Sequence, residues 1–235
     1  MRLIMDLHTH TTASGHAYST LTENIMAAKK NGLKILGVSD HAPMMPGSTH
    51  SFHFGNLRII PEYVEGIRVL KGVELNILNE AGEVDLGGKD VETLDYGIAS
   101  IHVPCFSDLG RDGNTLATIN TMKNPLVKII GHPDDGRFPL DYEKLVKAAK
   151  EHHVLLEVNN SSLKPTSYRE NAADNYKIML KLCAEYGVSI IFGSDAHFTS
   201  DIGNFEKAMA FCEEIGFPKE LIVNTSEEKL MSFLK

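Results

Sequence analysis

Short apolar runs that end in a histidine or a carboxylate recur along this chain of 235 residues. Six of them read as β-strands: LIMDLH, ILGVSDH, VLKGVE, GIASIH, KIIGH and SIIFGSD. Segments with helical spacing of apolar residues separate the runs. Strands that alternate with helices form a parallel sheet, whose C-terminal strand ends lie on one side. The sequence therefore predicts an α/β fold that gathers these polar strand ends on one face.

The distribution of the polar strand ends favours a closed barrel over an open doubly wound sheet. In an open sheet, ligands gather at a switch point between two or three strands. Here six of seven predicted strands carry a ligand type, and the remaining strand, VLLEVNN, ends in two asparagines. A ring brings all six ends together. We therefore predict a (β/α)7 TIM-like barrel that forms a single domain over residues 1–235.

Three connecting segments have their own signals. The loop at 42–56 is long and rich in Pro, Met, Gly, Ser and His, which predicts a functional flap. The segment at 61–67, PEYVEGI, predicts a short helix. The stretch at 76–88, NILNEAGEVDLGG, predicts a hairpin-like excursion, and the C-terminal SEEKLMSFLK predicts a closing helix.

Composition limits the classes of partner. The net charge of -8 disfavours a nucleic-acid binder, which usually carries a basic surface. Three cysteines without a CxxC pair predict free thiols and a cytoplasmic location. We find no signal-peptide pattern and no run of about 20 apolar residues, so we expect no membrane association. A homo-oligomer stays open.

Spacing and number together predict a metal cluster. His8 and His10 are two residues apart, so both face one side of an extended segment, and Asp195 and His197 repeat this spacing. A lone histidine at a strand end is more often structural, but seven of the 11 histidines lie at strand ends or in the first rim loop. Catalytic zinc takes about three protein ligands, so nine candidates predict two or three metals. Imidazole-rich sites suit zinc, manganese or iron. The candidates are His8, His10, His16, His41, Glu74, His102, His132, Asp195 and His197.

The motifs HTH, SDH, GVE, SIH, GHP and SDAH, in this order, resemble those of the PHP superfamily, named for its polymerase and histidinol-phosphatase members. The resemblance covers nearly the whole chain and is strongest to small stand-alone bacterial phosphatases. It implies a distorted (β/α)7 barrel with three metals, usually zinc, with manganese or iron as alternatives. It also implies a partition into three ligand groups: His8, His10, Glu74 and Asp195; then Glu74 as a bridge with His102 and His132; then His16, His41 and His197.

A cluster of this kind predicts a hydrolase that acts on phosphoric ester bonds. Three divalent cations bring about +6 against roughly -2 from Glu74 and Asp195, so the pocket would attract phosphate. We predict a metal-dependent phosphatase that hydrolyses a small phosphorylated metabolite, a phosphomonoester, through a metal-bridging hydroxide. Glu74, Asp195 and Arg169 are the predicted catalytic residues.

Several rim residues are candidates for substrate contact. Arg169 lies on the correct rim and its guanidinium matches phosphate, although a solvated helix-start charge is the alternative. His50 and His53 in the flap, and Asn159 at the end of a strand, are further candidates. Arg111 and Arg137 also lie in rim loops, where surface charge is the simpler interpretation.

Three other functions remain open. A phosphodiesterase or 3′-5′ nuclease would benefit from a basic, aromatic-lined groove, and this chain has no Trp and no basic run. A non-catalytic metal-binding module is disfavoured by the complete ligand set. A metal-dependent amidohydrolase also uses HxH, but such chains are usually longer. The sequence does not name the substrate.

Overall fold

Seven parallel strands form the frame of the molecule, and the structure, a computed structural model, describes residues 1–234. The parallel strands are β1 (Met5–Asp6), β2 (Ile35–Val38), β4 (Ile67–Asn76), β5 (Tyr96–Ser100), β6 (Val127–Ile130), β7 (Leu155–Asn159) and β8 (Ile190–Gly193). A short strand, β3 (Tyr63–Val64), pairs antiparallel with β4. The helices are α1 (Leu21–Lys30), α2 (Phe52–Asn56), α3 (Gly110–Thr121), α4 (Tyr142–His152), α5 (Ala172–Tyr186), α6 (Glu206–Glu214) and α7 (Glu227–Leu234).

The parallel strands are hydrogen-bonded in chain order, β1-β2-β4-β5-β6-β7-β8. Helices connect most of them and cover the outside of the sheet, where an extensive apolar layer is buried. Cys183 in α5 and Cys212 in α6 belong to this layer as free thiols. The predicted α/β class and the TIM-like barrel built from seven parallel strands are confirmed.

The seam between β8 and β1 lacks a continuous ladder, and side chains supply part of its hydrogen bonds. A single bridge joins Thr9 to Ala196 beyond the ends of the two strands. Below it, the buried amide of Asn224 accepts from the main-chain N of Phe192 at 2.7 Å and donates to the Phe192 carbonyl at 2.9 Å. The same amide donates to the carbonyl of Met5 at 3.2 Å. Asn224 therefore joins the last strand to the first.

A tyrosine fills the middle of the barrel. Tyr96 is fully buried, and its hydroxyl donates to the carbonyl of Leu7 across the interior at 2.5 Å. A Cβ at Gly37 of β2 or Gly72 of β4 would lie 2.0 or 2.4 Å from Tyr96 atoms, so both positions need glycine. The Tyr96 ring thus explains why Gly37 and Gly72 are glycines.

The C-terminal helix packs on the barrel interior, as its apolar pattern predicts. Leu230 of α7 is buried in the interior cluster with Met5, Tyr96 and Ile129, and Phe233 packs against that cluster. Lys235, the last residue of the predicted helix, lies outside the described residues.

The prediction of a short helix at 61–67 is wrong. Tyr63 and Val64 pair with Arg68 and Ile67 in an antiparallel hairpin. Its two turn residues, Glu65 and Gly66, have φ values of 54° and 81°, and such a left-handed pair forms a two-residue hairpin turn that a helix cannot contain. The second excursion is hairpin-like as predicted, with an antiparallel bridge between Ile77 and Val84. The flap contains the short helix α2.

Within residues 1–234, none of the helices combines the length and the apolarity that a bilayer crossing requires.

We expect Asn224→Ala to lower the free energy of unfolding by about 2–4 kcal/mol, because buried main-chain groups at the seam lose their partner. Chemical denaturation followed by circular dichroism measures the change. Asn120→Ala is the matched control, since its amide also donates to a carbonyl, but at a solvent-exposed position. Equal losses in both variants would show that the seam does not depend on Asn224.

Candidate metal centre

Glu74 lies at the centre of the polar strand ends. It is near the end of β4, and a bridge between His41 and Glu74 continues the pairing of β2 with β4 beyond β2. The carboxylate is 0% exposed and accepts a hydrogen bond from the hydroxyl of Ser100 at 2.7 Å. Ring nitrogens of five histidines lie within 3.5 Å of its oxygens: His41 at 2.8 Å, His132 at 3.0 Å, His102 at 3.2 Å, His8 at 3.3 Å and His10 at 3.5 Å.

Asp195 forms a second centre beside the first. Its Oδ1 lies 3.3 Å from Nε2 of His10, 3.6 Å from Nε2 of His8 and 3.5 Å from Nδ1 of His197. Its Oδ2 accepts from Arg169 at 3.0 Å and from the amide of Asn159 at 3.1 Å. Asp195 therefore separates the candidate metal ligands from a buried guanidinium.

A third group of imidazoles lies closer to solvent. Nε2 of His41 is 3.2 Å from Nε2 of His16, whose side chain is exposed. The ring of His16 stacks against those of His41 and His197, with centroids 4.9 and 4.7 Å away. His41 thus has one ring nitrogen beside Glu74 and the other beside His16. The structure brings all nine predicted metal ligands together.

Hydrogen bonds at Nδ1, on the side of the ring away from Glu74, orient the inner imidazoles. Nδ1 of His8 lies 2.6 Å from the carboxylate of Glu157, which can only accept, so Nδ1 carries the proton. Nδ1 of His102 lies 2.7 Å from Oδ1 of Asn76, whose amide nitrogen donates to Asp85 at 2.7 Å. Asp85 thereby orients the amide oxygen of Asn76 toward the ring.

Ser14 sets the orientation of a third ring. Its single hydroxyl proton goes to the carboxylate of Asp40 at 2.7 Å, so its oxygen must accept from Nδ1 of His10 at 3.0 Å. Nδ1 of His197 lies 3.0 Å from the main-chain carbonyl of Asp195 and donates to it. These assignments follow from the hydrogen-bond network. In the neutral form, these rings present an unprotonated Nε2.

As a result, unprotonated ring nitrogens face the oxygens of Glu74 with no hydrogen-bond donor between them. In the neutral rings, the Nε2 atoms of His8, His10 and His102 are unprotonated and lie 3.2–3.5 Å from oxygens of Glu74, with no proton to share. Nε2 of His8, Nε2 of His10, Nδ1 of His41 and Oε2 of Glu74 are buried without a hydrogen-bond partner. A buried unpaired acceptor is costly, and a cation that binds several acceptors removes the cost. The residues present therefore fit divalent metals.

The donor atoms divide into overlapping triplets whose atoms lie within 4.8 Å of one another. These are His8, His10 and Glu74; His41, Glu74 and His102; and His10, His41 and His197. The first triplet lies within one predicted ligand group, which also contains Asp195, whereas the others combine members of different groups. The triplets overlap because Glu74, His10 and His41 each belong to two of them. The partition among three metals stays a prediction.

The protonation equilibria agree with a ligand role. Burial raises the pKa of Glu74, but His8, His102 and His41 hold it well below its usual range. Burial lowers the pKa of His102 to about 4. Burial, with His197 and His41 beside it, also holds the pKa of His10 well below its usual range. Around neutral pH the carboxylate is ionised and these two rings are neutral, as metal ligation requires.

His8 is the exception, and its surroundings explain why. Burial lowers its pKa, but the carboxylates of Glu157, Glu74 and Asp195 together raise it well above the usual value. Three carboxylates around one ring favour positive charge at that position, which either a proton or a metal can provide.

The backbone is strained at two of the candidate ligands. His132 and Asp195 have φ values of 28° and 55°, a region that residues other than glycine seldom adopt. Strain of this kind often accompanies functional sites.

At Gly193, a Cβ would lie 1.8 Å from Oε1 of Glu157, so glycine is required for the contact between Glu157 and His8.

A cavity of about 250 Å3 opens from the cluster. Its walls include Glu74, Asp195 and the candidate ligands His16, His41, His102, His132 and His197. Met45, Ile101, Val103 and Pro104 form an apolar wall, and Asp135, Arg137, Tyr168 and Arg169 form a polar one.

Of the predicted substrate-binding residues, only Arg169 lies in the cavity lining. Arg169 lines the cavity with a side chain only 7% exposed, and Ser162 and Asp195 accept its hydrogen bonds. Asn159 lies behind Asp195, outside the cavity lining. His53 lies 3.4 Å from Asp40, and His50 is exposed in the flap; the lining contains neither.

Sequence reasoning did not single out the residues that orient the rings. Glu157, Asn76 and Ser14 each contact a ligand that is distant in the chain or one turn away. A carboxylate inside the apolar run VLLEVNN was a usable signal for Glu157, because an unpaired buried charge is rarely tolerated. No comparable signal marks Ser14 or Asn76.

Comparison with known proteins agrees with the geometry. A probable phosphatase of Thermoanaerobacter sp. (strain X514) is 46% identical over 238 residues, which cover 100% of this chain and 96% of the relative. The crystal structure of histidinol phosphate phosphatase from Lactococcus lactis subsp. lactis Il1403, complexed with Zn, L-histidinol and phosphate, has a TM-score of 0.62. It is 17% identical, and the match covers 92% of this chain and 94% of that one.

A chain of archaeal ribonuclease P, solved with mature tRNA, has a TM-score of 0.59 at 16% identity, covering 97% of this chain and 87% of that one. At such identities these two structures establish a shared fold and no more. The family assignment comes from sequence: the profile of the PHP domain matches residues 6–161. The chain therefore belongs to the PHP domain family.

Proposed function

We propose that this protein is a metal-dependent phosphatase that hydrolyses small phosphomonoesters at a cluster of three metals. The observation that carries the proposal is the set of five imidazoles around the buried carboxylate of Glu74. The relatives named as probable phosphatases support the reaction class. Zinc is the expected ion, with manganese or iron as alternatives.

Each ligand group has a role in this proposal. His8, His10, Glu74 and Asp195 would hold one metal; Glu74, His102 and His132 a second; His16, His41 and His197 a third. When bound, clustered divalent metals acidify water, polarise a phosphoryl oxygen and stabilise the leaving oxygen. Glu157, Asn76 and Ser14 hold the imidazoles in the tautomer that ligation requires.

Arg169 is the proposed phosphate-binding residue of the protein itself. Burial lowers its pKa, but Asp195 and Asp134 raise it above the usual value, so the guanidinium stays charged. Asp195 and Ser162 accept from its two terminal nitrogens and hold it at the cavity wall. A guanidinium held in this way can donate to phosphoryl oxygens with little loss of side-chain entropy.

The cavity also bears on the rival functions. A volume of about 250 Å3 suits a small ester better than a polynucleotide strand. The net charge of -8 opposes a long nucleic acid. A phosphodiesterase with a small substrate is therefore the main alternative, and an assay that compares phosphate monoesters with diesters distinguishes the two.

Metal analysis tests the cluster directly. We expect the metal-loaded protein to hold more than two equivalents of transition metal by inductively coupled plasma mass spectrometry. His8→Ala should lose about one equivalent and reduce hydrolysis of p-nitrophenyl phosphate at least a hundredfold, because it removes a buried ligand. His152→Ala, at the end of α4 and outside the cluster, is the control. One equivalent or less in the wild type would contradict the trinuclear site.

Glu157→Gln tests the orientation of the ligands. Oε1 of Glu157 lies beside Nδ1 of His8 while Oε2 accepts from the main-chain N of His132 at 2.7 Å, and an amide cannot accept on both sides. Loss of such an outer partner typically lowers metal affinity about 10–100-fold, and we expect this range in chelator competition. The exposed Glu151→Gln in α4 serves as control. Unchanged affinity would show that Glu157 is only a packing residue.

Arg169→Met tests phosphate binding. We expect KM for p-nitrophenyl phosphate to rise about 10–100-fold, since a charged hydrogen bond contributes about 1.5–3 kcal/mol, with metal content retained. Lys164→Met is the control, because Lys164 lies in the same loop and pairs with Asp201 at 3.0 Å. If Arg169→Met left KM and kcat unaltered, or lost its metals, the assigned role would be wrong.

A further inference from the structure

A second guanidinium shares the cavity with Arg169. Arg137 follows β6 and lines the same wall, and its side chain is only 29% exposed. The simplest interpretation of its sequence position was surface charge, but a freely solvated arginine would be far more exposed. Its surroundings therefore need a separate explanation.

Asp135 holds Arg137 in a fixed orientation. Nε of Arg137 lies 2.9 and 3.1 Å from the two oxygens of Asp135, and Nη2 donates to Oδ2 at 2.5 Å. The main-chain N of Arg137 donates to the same carboxylate at 3.1 Å. Within residues 1–234, the side-chain hydrogen bonds of Arg137 use Nε and Nη2, which leaves the N–H groups of Nη1 available. Both oxygens of Asp135 thus accept hydrogen bonds from Arg137, whereas Nη1 of Arg137 can still donate to a ligand.

Tyr168 lies beside both guanidinium groups. The central guanidinium carbon of Arg137 lies 4.9 Å from the ring centroid of Tyr168, and that of Arg169 lies 5.7 Å away. The ring itself is 71% exposed at the cavity wall. Asp135 raises the pKa of Arg137 above its usual range, and the like charge of Arg169 opposes that rise. An anion bound beside both groups would relieve this repulsion.

We propose that Arg137 binds an oxyanion, a carboxylate or a second phosphate, on the leaving-group part of the substrate. The inference rests on the proposed phosphatase function, in which the metals and Arg169 hold the phosphoryl group. The substrate class is then a small phosphomonoester whose alcohol carries a further anionic group. Arg137 acts as a specificity-determining residue, and Asp135 and Tyr168 position it.

The rest of the cavity lining favours an anionic over a cationic leaving group. Outside the metal cluster, Asp135 is the one carboxylate among the lining residues of the described chain, and Arg137 occupies it. Among the other lining residues, Ile101, Val103 and Pro104 offer apolar contact and no charge. An ammonium group would find no free partner there, whereas an oxyanion would find Nη1.

A matched series of non-hydrolysable ligands tests the inference without turnover. Calorimetric titration of the metal-loaded protein compares benzylphosphonate, 4-carboxybenzylphosphonate and 1,4-xylylene bisphosphonate. We expect the second anionic group to raise affinity at least tenfold in the wild type, and Arg137→Gln to abolish this gain. The two para substituents distinguish a carboxylate from a second phosphate as the preferred group.

Two further variants make the test specific. Arg111→Gln removes an arginine that is 62% exposed in α3 and pairs loosely with Asp141, and it should keep the full gain. Arg137→Lys keeps the charge but loses the fork to Asp135, so an intermediate gain is expected and covers the case in which the glutamine variant does not fold. If the second anion adds no affinity, or Arg137→Gln keeps the gain, the inference is wrong.

Turnover separates this inference from the proposed function. Phenyl phosphate and 4-carboxyphenyl phosphate are the corresponding substrates, and Arg137→Gln should lower kcat/KM for the second relative to the first at least tenfold. A gain in phosphonate affinity without hydrolysis of either ester would overturn the phosphatase proposal and leave the anion subsite intact.

Discussion

Unprotonated imidazole nitrogens facing the oxygens of one buried carboxylate are the constraint on which this structure depends. Glu74 lies among five histidines, and the inner rings present acceptors to it because their protons are used elsewhere. Acceptors facing acceptors in a dry interior are unfavourable unless cations bind between them. The barrel is the scaffold that holds this arrangement in place.

The orienting residues connect the chemistry to the frame. Glu157 accepts from a ring that follows β1 and from the main chain that follows β6, so it connects three strands of the barrel. Asp85 orients Asn76 and also accepts from the main-chain N of Met44 at 2.8 Å, which joins the flap to the ring of His102. The position of the flap and the orientation of a candidate ligand, His102, therefore depend on one carboxylate.

Charge is distributed in layers from the cluster to the mouth of the cavity. Carboxylates and neutral imidazoles lie at the bottom, Arg169 bridges the cluster to the wall, and Arg137 lies beside Tyr168. A chain with a net charge of -8 thus places a buried and a half-buried arginine in the lining of one cavity. This arrangement favours small anions through local charge rather than through overall charge.

The sequence alone determined the seven parallel strands and the polar residue types at their ends, because periodicity and strand termini are local properties. It also predicted all nine donors that the fold brings together. It could not predict what orients them: His8 and Glu157 are separated by 149 positions, and no local pattern encodes such a contact. Closure of the seam by Asn224 joins residues 219 positions apart, from Met5 to the C-terminal segment. The hairpin at Tyr63–Val64 depended on pairing with β4, which outweighed local helix propensity. Only the tertiary structure decided that Arg137 is fixed at the cavity wall. The orientation of its guanidinium depends on contacts with Asp135 and Tyr168, which the sequence does not specify.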